Sequence, residues 1–208
     1  MTNRQQPLLR VYGDMYSGNC YKVKLLLNHL DMPHEWIHVD IMKGESRTAE
    51  FLARNPNGRI PLLELPDGRY LAESNAILNF LATGTPFLPD DPWLRALVLQ
   101  WQFFEQYSHE PNIATARYIA VYLGLPESHR AAYEGKQAGG HAALRVMEAQ
   151  LAHHDYLVGD RFTIADISLF GYTHVAGEGG FSLDAYPGIS RWLARIAALP
   201  RHLTMADG

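Results

Sequence analysis

One cysteine, Cys20, is all that the 208-residue chain contains. No intrachain disulfide can form, and dithiol chemistry is closed to the chain acting by itself. Long apolar runs are missing as well: none approaches the ~18 residues of a membrane span or the hydrophobic region of a signal peptide. The N-terminal "MTNRQQP" is polar and leads straight into a short apolar run. Blocks of positive charge are absent too. Lys and Arg are interspersed with a slight excess of Asp and Glu, for a net charge of −4, which argues against nucleic acid as a partner. There is no internal repeat and no low-complexity tract. A soluble protein of a reducing, cytoplasmic compartment is expected, and 47% hydrophobic residues are enough to fill its cores.

What is present changes character along the chain. From Leu8 to about Thr83 short apolar runs alternate with helical spacing: strand "LLRVYG", helix Asn19 to Leu30, strand "HEWIHVDI", helix around "RTAEFLARN", strands "RIPLLEL" and "RYLAE", then helix "SNAILNFLA". The turn "PDG" joins the last two strands as a hairpin. This β-α-β-α-β-β-α order predicts a small mixed sheet with helices packed on it. "GTPFLPDDP", residues 84–92, is rich in helix breakers and reads as a linker. From Trp93 to the end at 208 only helical periodicity appears, so a second, all-α domain is expected over 93–208, with "WQFF" in its core and Pro111 either kinking its first helix or capping the second half. "AGEGG", Ala176 to Gly180, reads as a helix end and loop, because no strand precedes it as a phosphate loop would need.

Three features of the first 83 residues bear chemistry. Ser17, in "YSGNCYKV", follows the first strand at the start of a helix, where unpaired N–H groups and the positive dipole end favour an anion; the simplest alternative is a plain N-cap. "NPNGRIPLL" begins a strand with Pro61, either an edge position or a cis Ile60–Pro61 bond that turns the Ile60 backbone outward toward an extended peptide ligand. "ESNAIL" sets Glu73 and Ser74 at another strand-to-helix junction. Glu73 suits an ammonium, and Ser74 with the helix N–H groups suits a carboxylate, together matching a ligand with a free α-amino-acid end.

With these three in register, nearly the whole chain resembles the glutathione transferase family: a thioredoxin-like N-terminal domain (1–83), a linker (84–92) and an α-helical domain (93–208). The loop "SGNCYKV" is similar to the place where theta-like, delta-like and phi-like members carry a catalytic serine, and to the Thr/Ser-x-Asn pattern of bacterial nu-like members. The resemblance implies a sulfur contact from Ser17 and secondarily Asn19. "NPNGRIP" is similar to the family's cis-proline segment, and "ESNAIL" to the motif that holds the γ-glutamyl end. "DRFTIADISLF" looks like the family's capping box, in which Thr163 and Asp166 satisfy each other's backbone N–H groups. Glutathione is then the expected co-substrate, held by Arg47, Arg59, Ile60, Pro61, Glu73 and Ser74. A thioredoxin-like loop without its first cysteine needs the reactive sulfur to arrive with the ligand.

The family implies transfer of glutathione to an electrophile, in the manner of detoxification, by a cytoplasmic homodimer. The alternatives are glutathione-dependent reduction of disulfides or peroxides, as in nu-like members, and a non-catalytic binding scaffold. The electrophile site is expected between the domains, with Tyr16, Tyr107, Ile113 and Arg117 as its candidates. Tyr12 is a rival ligand for the sulfur. Cys20 stands in a helix flank, where simple packing competes with a mixed disulfide to glutathione. His153-His154-Asp155 carries no third ligand at a recognisable spacing, so no metal is expected.

Overall fold

Strand directions organise the first part of the molecule. The computed structural model describes residues 8–207, so the polar "MTNRQQP" lies outside the described residues. Strands β1 (Leu9–Gly13), β2 (His34–His38), β3 (Leu62–Glu64) and β4 (Tyr70–Ala72) form one sheet in the order β2-β1-β3-β4. β1 pairs parallel with β2, Tyr12 opposite Ile37, and antiparallel with β3, Val11 opposite Leu63. β3 pairs antiparallel with β4. The β3–β4 hairpin closes as "PDG" predicts: Gly68 N–H donates to Leu65 O at 2.9 Å, and Gly68 sits at φ 83°, a conformation that glycine adopts without penalty.

Helices α1 (Gly18–His29), α2 (Ala49–Arg54) and α3 (Ser74–Ala82) complete the predicted alternation. α1 is the most buried of them, with Cys20, Val23, Leu25, Leu26 and Leu27 all at 0% exposure. Alternation along β1 turns Tyr12 to the opposite face, where it packs with Val39, Phe51 and Leu62. Two expected strands are shorter than their apolar patterns. "HEWIHVDI" ends at His38, and the Asp40 carboxylate then accepts from Met42 N and Lys43 N, turning the chain. "RIPLLEL" pairs only over Leu62–Glu64, since Pro61 has no N–H to give a ladder.

The chain divides into two compact units, one running up to Leu81 and including residues from Leu203 onward, the other spanning Ala82–His202. Leu203 falls in the first unit, its carbonyl accepting from the hydroxyl of Tyr21 in α1 at 2.7 Å.

The second unit is helical as expected, comprising α4 (Pro92–Phe104), α5 (Glu110–Arg117), α6 (Arg130–Leu151), α7 (Ile164–Thr173) and α8 (Pro187–Ala197). Asp91 caps α4, accepting from Leu94 N at 2.8 Å, with Pro92 in the first turn. Pro111 stands in the first turn of α5, behind a π-helical turn over Glu105–His109. A proline ring excludes the carbonyl four residues back, so the chain passes it by winding wider. In "WQFF", Trp101 and Gln102 are buried but Phe103 is 70% exposed; a four-residue run covers more than one face of a helix and cannot all point inward. α7 is buried along its entire length. Its predicted capping box is present, and the Asp166 carboxylate accepts from Leu157 N, Thr163 N, Thr163 Oγ1 and Trp192 Nε1.

Candidate functional site

The pairing directions bring three loops to one end of the sheet. β3 runs antiparallel to both β1 and β4, so β1 and β4 point the same way. The C-terminal ends of β1 and β4 and the N-terminal end of β3 therefore lie together. From them spring the N-terminus of α1, the N-terminus of α3 and the Ile60–Pro61 segment, whose peptide bond is cis.

Ser17 is the N-cap of α1, in extended conformation at φ −78° and ψ 120°. Its Oγ accepts from Cys20 N at 3.4 Å, a long bond that leaves hydroxyl capacity to spare. Ser17 N–H donates to Asp14 O, and the buried Asp14 carboxylate accepts from Tyr16 N, which fixes the loop ahead of the helix. Two residues on, Asn19 Oδ1 receives two donors, Ser74 Oγ at 3.1 Å and Lys22 Nζ at 2.7 Å. Ser74 is the first residue of α3. The N-terminal ends of α1 and α3 are thus tied side chain to side chain, and both present partly positive helix ends in the same place.

Glu73 precedes α3 with φ 69°. A non-glycine residue held there costs about 1–3 kcal/mol and is a recurrent feature of binding sites. Its Oε1 accepts from Asn57 Nδ2 at 3.4 Å, joining the α3 end to the "NPNGRIP" loop. That loop is shaped by the buried Asn55, whose Nδ2 donates to Arg59 O at 2.8 Å and whose Oδ1 accepts from Asn57 N at 3.1 Å. Arg47 is exposed yet directed into the loop: its Nη1 donates to Asn57 O at 3.1 Å, and a Cβ added to Gly58 would stand 2.6 Å from that nitrogen. Arg59 is exposed, Ile60 is half-buried and Pro61 is buried.

The rival sulfur contacts are engaged elsewhere. Tyr12 donates its hydroxyl to Glu64 Oε2 at 2.6 Å, and its ring meets Phe51 edge-on. Burial first, then the bond to Glu64, push that phenol up to about 12. Cys20 is fully buried. Desolvation pushes its thiol up to about 12, hydrogen bonding from Ser17 and the Asp14 backbone offsetting only part. A mixed disulfide on Cys20 has no physical support here.

Of the four residues expected around the electrophile, Tyr16 (66%) and Tyr107 (88%) expose their rings. Ile113 is fully buried and packs inside the helical unit. Arg117, 3% exposed, pairs through Nε with Glu178 Oε2 at 2.7 Å. Both are accounted for by packing within that unit. Asp155 pairs with Arg195, and no group of three or more His, Cys, Asp or Glu side chains that could hold a metal ion occurs among the described residues. Nor, among these residues, is any helix long and apolar enough to cross a membrane.

Comparison with known proteins bears directly on this arrangement. The glutathione S-transferase N-terminal domain family matches residues 16–83, and the C-terminal domain of the same family matches residues 102–200. "Glutathione S-transferase 1" of Schizosaccharomyces pombe is 31% identical over 214 residues, covering 91% of this chain and 91% of that protein. The chain belongs to the glutathione S-transferase family. Among solved structures, a glutathione S-transferase from Pseudomonas fluorescens is 60% identical with a TM-score of 0.95, covering 96% of this chain and all of that one. A glutathione transferase from Burkholderia graminis, described with two glutathione molecules bound per subunit, is 27% identical with a TM-score of 0.81, covering 94% of this chain and 85% of that one.

Within this glutathione S-transferase fold, Lys22 and Asn57, which sequence reasoning did not nominate, hydrogen-bond to the candidate residues Asn19 and Glu73. Lys22 carried a signal, a lysine among the leucines and valine of an otherwise buried helix face. Asn57 carried none, because only the folded loop sets it beside Glu73.

Proposed function

We infer that the protein is a glutathione transferase that binds glutathione across the N-termini of α1 and α3 and activates its thiol from Ser17. The observation that carries this reading is the Ser74–Asn19 hydrogen bond, which locks two anion-favouring helix ends into one site beside the Ser17 hydroxyl. Glu73 takes the γ-glutamyl ammonium, Ser74 and the α3 N–H groups its carboxylate, and the Ile60 backbone the cysteinyl peptide. Arg47 and Arg59 face the glycyl carboxylate.

A free thiol with a pKa near ~8.5 is only a few per cent ionised at neutral pH. Donation from the Ser17 hydroxyl and the α1 terminus, with Asn19 sharing the contact, favours the anion. A lowering of ~1–2 pKa units corresponds to about 1.4–2.7 kcal/mol, within reach of charge-assisted hydrogen bonds. The thiol proton leaves to solvent, and the thiolate forms a carbon–sulfur bond with an electrophile as the leaving group departs. Tyr16, next to Ser17 in the loop before α1, offers an exposed ring to an apolar electrophile. The protein acts as a cytoplasmic homodimer on small electrophiles. A second reading, disulfide reduction by two glutathione molecules, is favoured by the two glutathiones bound in the Burkholderia graminis relative.

The deciding measurement is a pH titration of the ultraviolet thiolate absorbance of bound glutathione in wild type, Ser17→Ala and Ser17→Thr. The expected result is a depressed thiol pKa that returns toward the free value in Ser17→Ala, with Ser17→Thr close to wild type and glutathione affinity nearly unchanged in both. Saturable binding with no depression in wild type overturns activation by Ser17, and absence of binding overturns the transferase reading altogether. Turnover of an aromatic halide against that of a glutathione-mixed disulfide then separates transfer from reduction.

A further inference from the structure

Glu73 forms no ion pair among the described residues, although Arg47 grips the neighbouring loop and Arg59 belongs to it. Arg47 gives its Nη1 to the Asn57 carbonyl instead, and Arg59 is exposed. The one hydrogen bond that the Glu73 carboxylate accepts among the described residues comes from a neutral donor, Asn57 Nδ2 to Oε1 at 3.4 Å. Both side chains belong to exposed residues, where water would satisfy an amide and a carboxylate equally well, so burial does not force the contact. At that length the bond adds little to stability. What it sets is direction.

Asn57 can set that direction because its own main chain is held on both sides. Its N–H donates to Oδ1 of the buried Asn55, and its carbonyl accepts from Arg47, each at 3.1 Å. The next residue, Gly58, sits at φ 62° with its N–H on Asn55 O at 2.9 Å, which closes the turn. On the other side of the contact, Glu73 is fixed by its left-handed backbone. A carboxylate accepts through two oxygens; Asn57 takes Oε1, and Oε2 has no partner among the described residues. A neutral amide steers the carboxylate without neutralising it, whereas a lysine or arginine in its place would form an ion pair with it. We propose that Asn57 is a positioning residue for recognition of an α-amino group: by holding Oε1 it keeps Oε2 and the full negative charge of Glu73 for an ammonium, and so favours a ligand with a free amine over one of the same shape without it. The inference rests on the role given above to Glu73 as acceptor of the γ-glutamyl ammonium.

The test compares equilibrium binding of two ligands by calorimetry: glutathione, and the analogue with a glutaryl group in place of γ-glutamyl, which lacks only the α-amino group. Wild type, Asn57→Ala, Asn57→Lys, Glu73→Gln and Asn57→Ala with Glu73→Gln are measured. Wild type should bind glutathione at least about tenfold more tightly than the analogue. Asn57→Ala should weaken glutathione about fivefold and the analogue less than about twofold, and in the Glu73→Gln background it should weaken glutathione less than about twofold. Asn57→Lys, which offers Glu73 a cation, should weaken glutathione more than Asn57→Ala does and leave the analogue within about twofold. A purely structural role in the loop would move both ligands together, so equal losses for the two in Asn57→Ala overturn the proposal, as does a loss undiminished by Glu73→Gln. Both substitutions change an exposed side chain and keep the main-chain bonds to Asn55 and Arg47; should Asn57→Ala fail to fold, Asn57→Lys decides by the same comparison. A wild-type preference for glutathione that persists in both Asn57 variants sinks this inference alone. Equal binding of the two ligands by wild type sinks the Glu73 reading and this inference with it, and binding of neither sinks the glutathione site itself.

Discussion

Cys20 separates two chemistries that share this loop, and its reactivity can be worked out in advance. The side chain has no exposed surface, and a Cβ placed on Gly13 would stand 2.9 Å from its sulfur, so the pocket around it is full. With the thiol pushed up to about 12, the thiolate fraction at pH 7.5 falls on the order of a thousandfold below that of a free cysteine. Steric closure slows it further. A chromogenic aromatic disulfide added to the native protein should therefore react at least a thousandfold more slowly than with the protein unfolded in guanidinium. Cys20→Ala should keep wild-type turnover with glutathione while losing about 1 kcal/mol of stability to the small cavity. The linkage adds a pH signature. A thiol raised in the folded state contributes stability that is complete below the unfolded value near 9 and is lost as pH rises through about 12. Across that window wild type should lose about 4 kcal/mol that Cys20→Ala does not lose. A native labelling rate within tenfold of the unfolded rate, or abolished turnover in a well-folded Cys20→Ala, would refute the assignment of Cys20 to packing and revive a protein-thiol mechanism.

Other perturbations reach the helical unit. Asp166→Asn should lower stability by about 2–4 kcal/mol at pH 7.5, because an NH2 must then face Thr163 N or the Leu157 N and Trp192 Nε1 pair. For a chain of this size that is a fall of roughly 5–15 °C in Tm, and a change under 1 kcal/mol in a thermal melt would contradict the four-donor account. His174 is held down to about 4, chiefly by burial, with Arg117 and His202 lowering it and the Phe170 carbonyl and Glu178 raising it. Its contribution, up to about 3 kcal/mol, is complete above the unfolded value of 6.5 and is lost as pH falls through about 4. His174→Phe should flatten the Tm profile across that interval, and parallel profiles for mutant and wild type would remove His174 from the acid response.

Apolar spacing and turn chemistry were sufficient for the element order, the hairpin at Gly68, the capping box at Thr163 and the start of α3 at Ser74. These signals are local, carried by residues that need only their own neighbours in sequence. Periodicity is silent where the deciding neighbour lies far along the chain. Phe103, expected in the core, is exposed, and Arg117 pairs with Glu178, 61 positions on. The Leu203 carbonyl meets Tyr21 of α1, 182 positions away, which no periodicity could register.

The candidate site shows the same division at finer grain. Serine at two strand-to-helix junctions is legible in any sequence, and each alone reads as an ordinary cap. What makes a site of them is direction. Because β3 runs against both β1 and β4, Ser17 and Ser74, 57 positions apart, emerge at one end of the sheet. The "PDG" hairpin already forces β3 and β4 to be antiparallel, but the pairing of β1 with β3 is set by packing alone. Had β1 run parallel to β3, the α1 and α3 termini would point to opposite ends of the sheet. Asn19 is the residue that depends most on this outcome, since its carboxamide oxygen links a lysine of its own helix to a serine of another. Its orientation is a property of the assembled sheet, which is why a three-residue pattern could nominate Asn19 but only the fold could connect it to Lys22.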